Sequence, residues 1–135
     1  MKILLFTLFM LLISCSQKEN KLEVKSQTVR LRYIAWACAC ANWANVDDTT
    51  EHKNQDSLAD HCAFIESADS TVALPDTLGY SGDIIEFTGQ FYKNNGYPKG
   101  YVKMEEPLDS AKVFRYTRYK VIQSHYRDSM NNLKK

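Results

Sequence analysis

The first patterned stretch of the chain is apolar. After Met1 and Lys2, the segment from Ile3 to Ile13 is hydrophobic apart from Thr7. One cation followed by so short a run is the layout of a secretory signal peptide, since a membrane span needs about 17–25 apolar residues. Residues 16–28 are mostly polar and read as a tether. Val29-Arg30-Leu31-Arg32-Tyr33 alternates apolar and basic side chains, which is strand periodicity. The larger side chains then move to the even positions Ile34, Trp36, Cys38 and Cys40. This phase switch near Tyr33 predicts a bulge or a strand that changes faces, as small closed barrels require. Residues 47–61 are polar, with Leu58 and Ala59 as the only apolar anchors, and read as a loop or one weak turn. Cys62 to Glu66 reads as a short strand. Residues 67–82 form a long connection, punctuated by Pro75, Gly79 and Gly82 and tied down by Leu74 and Leu78. Asp83 to Tyr92 is the clearest strand, with Ile85, Phe87 and Phe91 on one face and Glu86, Thr88 and Gln90 on the other. Gly89 on the apolar face predicts a kink or the close approach of another backbone. Asn94-Asn95-Gly96 reads as a hairpin turn and Tyr101 to Met104 as its return strand, broken by Pro107. Lys112 to Ile122 is the last long strand, and the polar tail from Ser124 ends in a helical turn. Five or six short strands without a strong helix favour a small antiparallel barrel over a sandwich of seven or more strands.

Leu12-Ile13-Ser14-Cys15 resembles a bacterial lipobox, in which an apolar pair and a small residue precede the cysteine that is lipidated. The resemblance implies cleavage before Cys15, a diacylated (palmitate-type) thiol there, and anchoring to the outer membrane. The following Ser16-Gln17-Lys18-Glu19 is similar to the surface-export signal of Bacteroidetes-type lipoproteins; the alternative address is the periplasmic face. Small lipoproteins of that type also resemble this chain in the Trp-x-Cys-x-Cys-x-x-Trp stretch from Trp36 to Trp43, a resemblance that implies no activity. Gly82 to Gly89 looks like the bent strand of an OB-type barrel and Phe114 to Ile122 like its closing strand. The expected organisation is a signal peptide over 1–14, a lipidated cysteine and tether over 15–28, an all-β, OB-like barrel over 29–123, and a polar tail over 124–135.

Composition adds what the chain excludes. Lys+Arg number 17 and Asp+Glu 16 in 135 residues, and removal of Lys2 with the leader leaves 16 against 16. That balance excludes an overall basic footprint for nucleic acid. Hydrophobic residues at 44% and aromatics at 12% suffice for a packed core. There is no glycine-rich phosphate loop, no His-Glu-x-x-His run, no Gly-x-Ser-x-Gly elbow and no dinucleotide fingerprint. The chain is therefore expected to be a non-enzymatic binding or accessory module of the cell envelope, without cofactor or metal. Tyrosines interleave with bases around the Asn-Gly turn and on the last strand. Tyr97, Lys99, Tyr101, Arg115 and Arg118 are the candidate ligand-binding residues, for an envelope glycan or protein and not for nucleic acid. The competing reading is that half of these tyrosines face the core.

With Cys15 lipidated, Cys38, Cys40 and Cys62 remain, in a compartment that permits disulfides. A direct Cys38–Cys40 bond is disfavoured by the short separation. The expected bridge is Cys62 to Cys40 or Cys38, closing a loop of about 20–25 residues and contributing roughly 3 kcal/mol, with one buried thiol left over. The alternative function is a thiol, disulfide or metal-binding protein using Cys38, Cys40 and Cys62. Cys38, Cys40, His61 and Cys62 match zinc ligands by type but not by spacing. A reactive thiol would take His61 or His125 as its base.

Overall fold

The computed structural model describes residues 20–51, 55–80, 82–102 and 108–134. The leader, the lipobox with Cys15, the export-type segment, Lys103, Met104 and Pro107 lie outside the described residues. Among the described residues, five strands close into one barrel: β1 Gln27–Tyr33, β2 Trp43–Asn45, β3 Ala63–Ser67, β4 Ile84–Phe91 and β5 Lys112–Gln123. Their order around the barrel is β1-β2-β3-β5-β4. The protein is thus a small all-β, OB-like barrel. One of its five pairings departs from the antiparallel expectation, because β3 runs parallel to β5, with Ala63 opposite Lys112 and Ser67 opposite Tyr116.

Strand alternation builds two apolar clusters on opposite sides of one wall. Leu31, Trp43, Ile85, Phe87, Phe114 and Tyr116 fill the barrel interior. Phe87 sits at its centre, edge-on to Trp43 at 5.3 Å and tilted against Tyr116 at 4.9 Å. The side chains one residue out of phase, Ala44, Phe64 and Val113, point outward from β2, β3 and β5. There they pack with Ala41, Leu58 and Cys62. The β2–β3–β5 wall is therefore apolar on both faces. The outer face of β1, β4 and the distal half of β5 is polar instead, with Arg30 donating to Glu86 at 2.9 Å and the Thr28 and Thr88 hydroxyls 3.0 Å apart.

The segment read as a loop contains two short helices, α1 Val46–Glu51 and α2 Gln55–Ala59. Leu58 buries itself against the outer cluster, and this packing holds a turn too short to be stable alone. The expected long connection lies between β3 and β4, with a 3₁₀ turn over Ser70–Val72, and Leu74 and Leu78 do pack on the core. The glycine in β4 has the predicted close approach. A Cβ on Gly89 would lie 2.7 Å from Tyr116 Cα, and the β4–β5 register shifts between Thr88 and Gly89.

Among the described residues the predicted hairpin is not formed. Gly96 makes a single bridge to Ala111, it is not among the glycines with positive φ, and Tyr101 and Val102 are not in a strand. The edges of β4 are taken by β1 and by β5, whose ladder runs from Ile84–Gln123 to Phe91–Phe114 and outcompetes a short local return strand. The stretch read as tether is bound from Asn20 onward. Leu22 bridges Tyr92, Glu23 N–H donates to Phe91 O at 2.8 Å, and β1 begins at Gln27. The tail folds as α3, His125–Asn132, with Ser124 as its N-cap. Asp83 is fully buried beneath it. Its Oδ2 accepts the Gly79 and Tyr80 N–H groups, each at 3.1 Å, and its Oδ1 accepts the His125 N–H. Among the described residues no helix is long and apolar enough to cross a membrane.

Candidate functional site

The geometry draws attention to one end of the barrel. Gln27, Ala63 and Lys112 begin their strands there, and Asn45 and Phe91 end theirs. All five line a cavity of about 890 Å³, within the range typical of ligand pockets. Its floor is apolar, formed by Val29, Leu31, Trp43 and Phe91, the interior-facing positions of β1, β2 and β4. Its rim comes from α1, α2, the β1–β2 loop and the segment before β5. Asp48, Asp56, Asp60 and Asp109 stand on that rim with His61, and Lys112 is the Lys or Arg found there among the described residues. Carboxylates over an apolar floor accept hydrogen bonds from hydroxyl or ammonium groups and repel phosphate.

The cysteines also meet at this cavity. Cys38, Cys40 and Cys62 all contribute to its lining. The bond joins Cys38 to Cys40, with Cα atoms 5.3 Å apart, and Cys62 is free and buried. This corrects the expected Cys62 bridge. Cys62 lies just before β3, packed in the outer cluster, where its thiol donates to the Leu58 carbonyl at 3.4 Å. Cys38 is exposed in the β1–β2 loop. Trp36 fastens that loop, its indole N–H donating to Ala41 O at 2.9 Å. Burial pushes the Cys62 thiol above its ordinary pKa; a hydrogen bond with Trp36 opposes the shift and the charge of Asp48 adds to it. Among the described residues, no three His, Cys, Asp or Glu side chains are grouped to hold a metal ion.

The five ligand-binding candidates lie elsewhere, and four of them gather around β3. Tyr97 and Tyr101 stack on each other at 4.6 Å and pack against Phe64 at 6.2 and 5.8 Å. The Tyr97 hydroxyl donates to Leu108 O, and the buried Tyr101 hydroxyl has no hydrogen-bond partner among the described residues. Glu66 accepts the Lys99 backbone N–H at 2.8 Å and the Tyr92 hydroxyl at 2.5 Å, and its carboxylate lies 3.8 Å from Arg115 Nε. Arg115 also donates to Ala68 O at 3.1 Å. Arg118 is exposed on the outer face opposite Thr88, apart from the other four. None of the five is among the residues lining the cavity. No protein-family model, curated protein or solved structure matches this chain. Its chemistry therefore has to be read from its own side chains. The acidic rim is not legible in the sequence, because its aspartates come from two short helices and two loops brought together by where five strands start and stop.

Proposed function

We propose that the protein is a membrane-anchored binding module of the cell envelope, held by lipid on Cys15, and that it takes an envelope glycan in the barrel mouth. The observation that carries this reading is the carboxylate-rimmed cavity over Val29, Leu31, Trp43 and Phe91. Sugars present apolar C–H faces to aromatic surfaces and hydroxyl or amine donors to carboxylates. OB-type barrels bind oligosaccharides as well as oligonucleotides, and the acidic rim supports the former. The Tyr97–Tyr101 pair then serves as packing that covers β3, not as the ligand platform.

The test titrates soluble peptidoglycan fragments and neutral envelope oligosaccharides into the detergent-solubilised full-length mature chain. Tryptophan fluorescence and calorimetry follow the titration, since Trp36 and Trp43 both line the mouth. The expected result is saturable binding that weakens about tenfold in the Asp48→Asn/Asp109→Asn variant, the loss of one or two charge-assisted hydrogen bonds. No saturable binding, or unchanged affinity in that variant, refutes the site. Anchoring is tested separately by metabolic labelling with a palmitate analogue, which Cys15→Ser abolishes if the reading holds.

A further inference from the structure

The bridge between Cys38 and Cys40 joins no two elements of the fold. Its residues are two apart, in the single loop that links β1 to β2. A disulfide stabilises chiefly by closing a long loop of the unfolded chain, and this one closes almost none. The third cysteine could have supplied a long-range staple to the same loop. It is instead buried, with its thiol turned onto the Leu58 carbonyl. The chain thus places a disulfide with an exposed Cys38 among the residues that line the barrel-mouth cavity and buries the third thiol. Exposed bridges are the ones that exchange with external thiols.

We propose that Cys38 and Cys40 form an exchange-active couple that accepts two electrons from the dithiol of a peptide or protein docked at the barrel mouth. A thiolate of the partner attacks the exposed Cys38 Sγ. The Cys38–Cys40 bond breaks, and Cys40 Sγ leaves with the electron pair and takes a proton. The partner is then joined to Cys38 in a mixed disulfide. The partner's second thiolate attacks its own sulfur in that bond, and Cys38 Sγ leaves and takes a second proton. The partner loses two electrons and two protons as its disulfide forms, and Cys38 and Cys40 gain them as two thiols. A second partner carrying a disulfide reverses the sequence and restores the bridge. Cys62 takes no part, and the burial that raises its pKa keeps it protonated.

This activity goes beyond the glycan-binding reading and does not rest on it, since a chain that binds no sugar can still exchange. The test equilibrates the full-length mature chain with graded ratios of reduced to oxidised glutathione. The reaction is quenched in acid, and thiols are counted by maleimide mass shift after unfolding. The expected result is a single two-electron transition that adds two thiols (from one to three where Cys15 is acylated) within the range that glutathione spans, unchanged in position by Cys62→Ala. In Cys40→Ser, a glutathione adduct collects on Cys38; in Cys38→Ser, adduct formation on the half-buried Cys40 is about tenfold slower, because access limits exchange. A pair that stays oxidised at every ratio, or an oxidised form whose bridge contains Cys62, overturns the proposal. So does equal adduct formation in the two serine variants.

Discussion

Replacing Asp83 by alanine removes one side chain that holds two otherwise separate pieces of the fold. Its carboxylate accepts three backbone N–H groups, those of Gly79 and Tyr80 in the turn entering β4 and that of His125 at the start of α3. Gly79 and Gly82 adopt φ of +89° and +90° in that turn, so the local backbone is held in a conformation the carboxylate helps to select. The His125 N–H is one of the donors that a helix start leaves unpaired, and a carboxylate there also suits the helix dipole. Asp83 is wholly inaccessible, whereas the donors are partly reached by solvent, so each lost acceptor costs about 1 kcal/mol, the low end of the buried range. Asp83→Ala should therefore destabilise the chain by about 3 kcal/mol. Asp83→Asn retains one acceptor oxygen and turns an NH2 group toward the remaining donors, so its cost is about 2 kcal/mol. Urea unfolding gives the free energies directly, and the expected fall in Tm for alanine is roughly 10–15 °C for a domain of this size. A loss below about 1 kcal/mol in Asp83→Ala, or no difference between the two variants, refutes the argument that the carboxylate carries these three donors.

Gly89→Ala should cost about 2–4 kcal/mol, because its Cβ would meet Tyr116 Cα at 2.7 Å and the Arg115 carbonyl carbon at 2.9 Å, and both are backbone atoms of β5; a thermal melt within a few degrees of the parent chain would show that the strands can separate freely there. Reduction of the Cys38–Cys40 bridge should lower stability by ~1.5 kcal/mol or less, since three residues is so short a loop, and a loss near ~3 kcal/mol in denaturant titrations with and without reductant would mean that the bond staples the barrel. Burial raises the pKa of both Cys62 and Tyr116, so the folded state favours their neutral forms. The stability this confers is full below the ordinary values of ~8.5 and ~10 and is lost as pH rises through the folded values. Urea midpoints should accordingly fall between about pH 8 and about pH 11, less steeply in Cys62→Ala, and midpoints that stay level or climb would reverse the sign.

The strands were legible because their periods were clean. β4 could be placed to within a residue from the alternation of Ile85, Phe87 and Phe91 with Glu86, Thr88 and Gln90, and its glycine announced the close crossing of β5. The same alternation failed around Gly96. A local Asn-Gly signal competed there with the register between β4 and β5, and the long ladder of paired backbone groups won. The helical turns at Val46–Glu51 and Gln55–Ala59 were missed for the opposite reason, since their own sequence barely favours a helix; the first packs against β1 and β2, and Leu58 holds the second through the outer cluster.

The sequence by itself determined the class of the fold, the approximate strands and the odd number of cysteines in the described domain. Those depend on side-chain period and residue count, which are local properties. Only the tertiary structure decided which residues meet. It packed Tyr97 and Tyr101 against Phe64. It paired Cys38 with Cys40 and enclosed Cys62 beneath Leu58. It also gathered Asp48, Asp56, Asp60 and Asp109 around the barrel mouth. The reason is closure: once β3 lies parallel to β5 and the ring is complete, strand ends far apart in the chain share one rim, and no periodicity along the sequence encodes that neighbourhood.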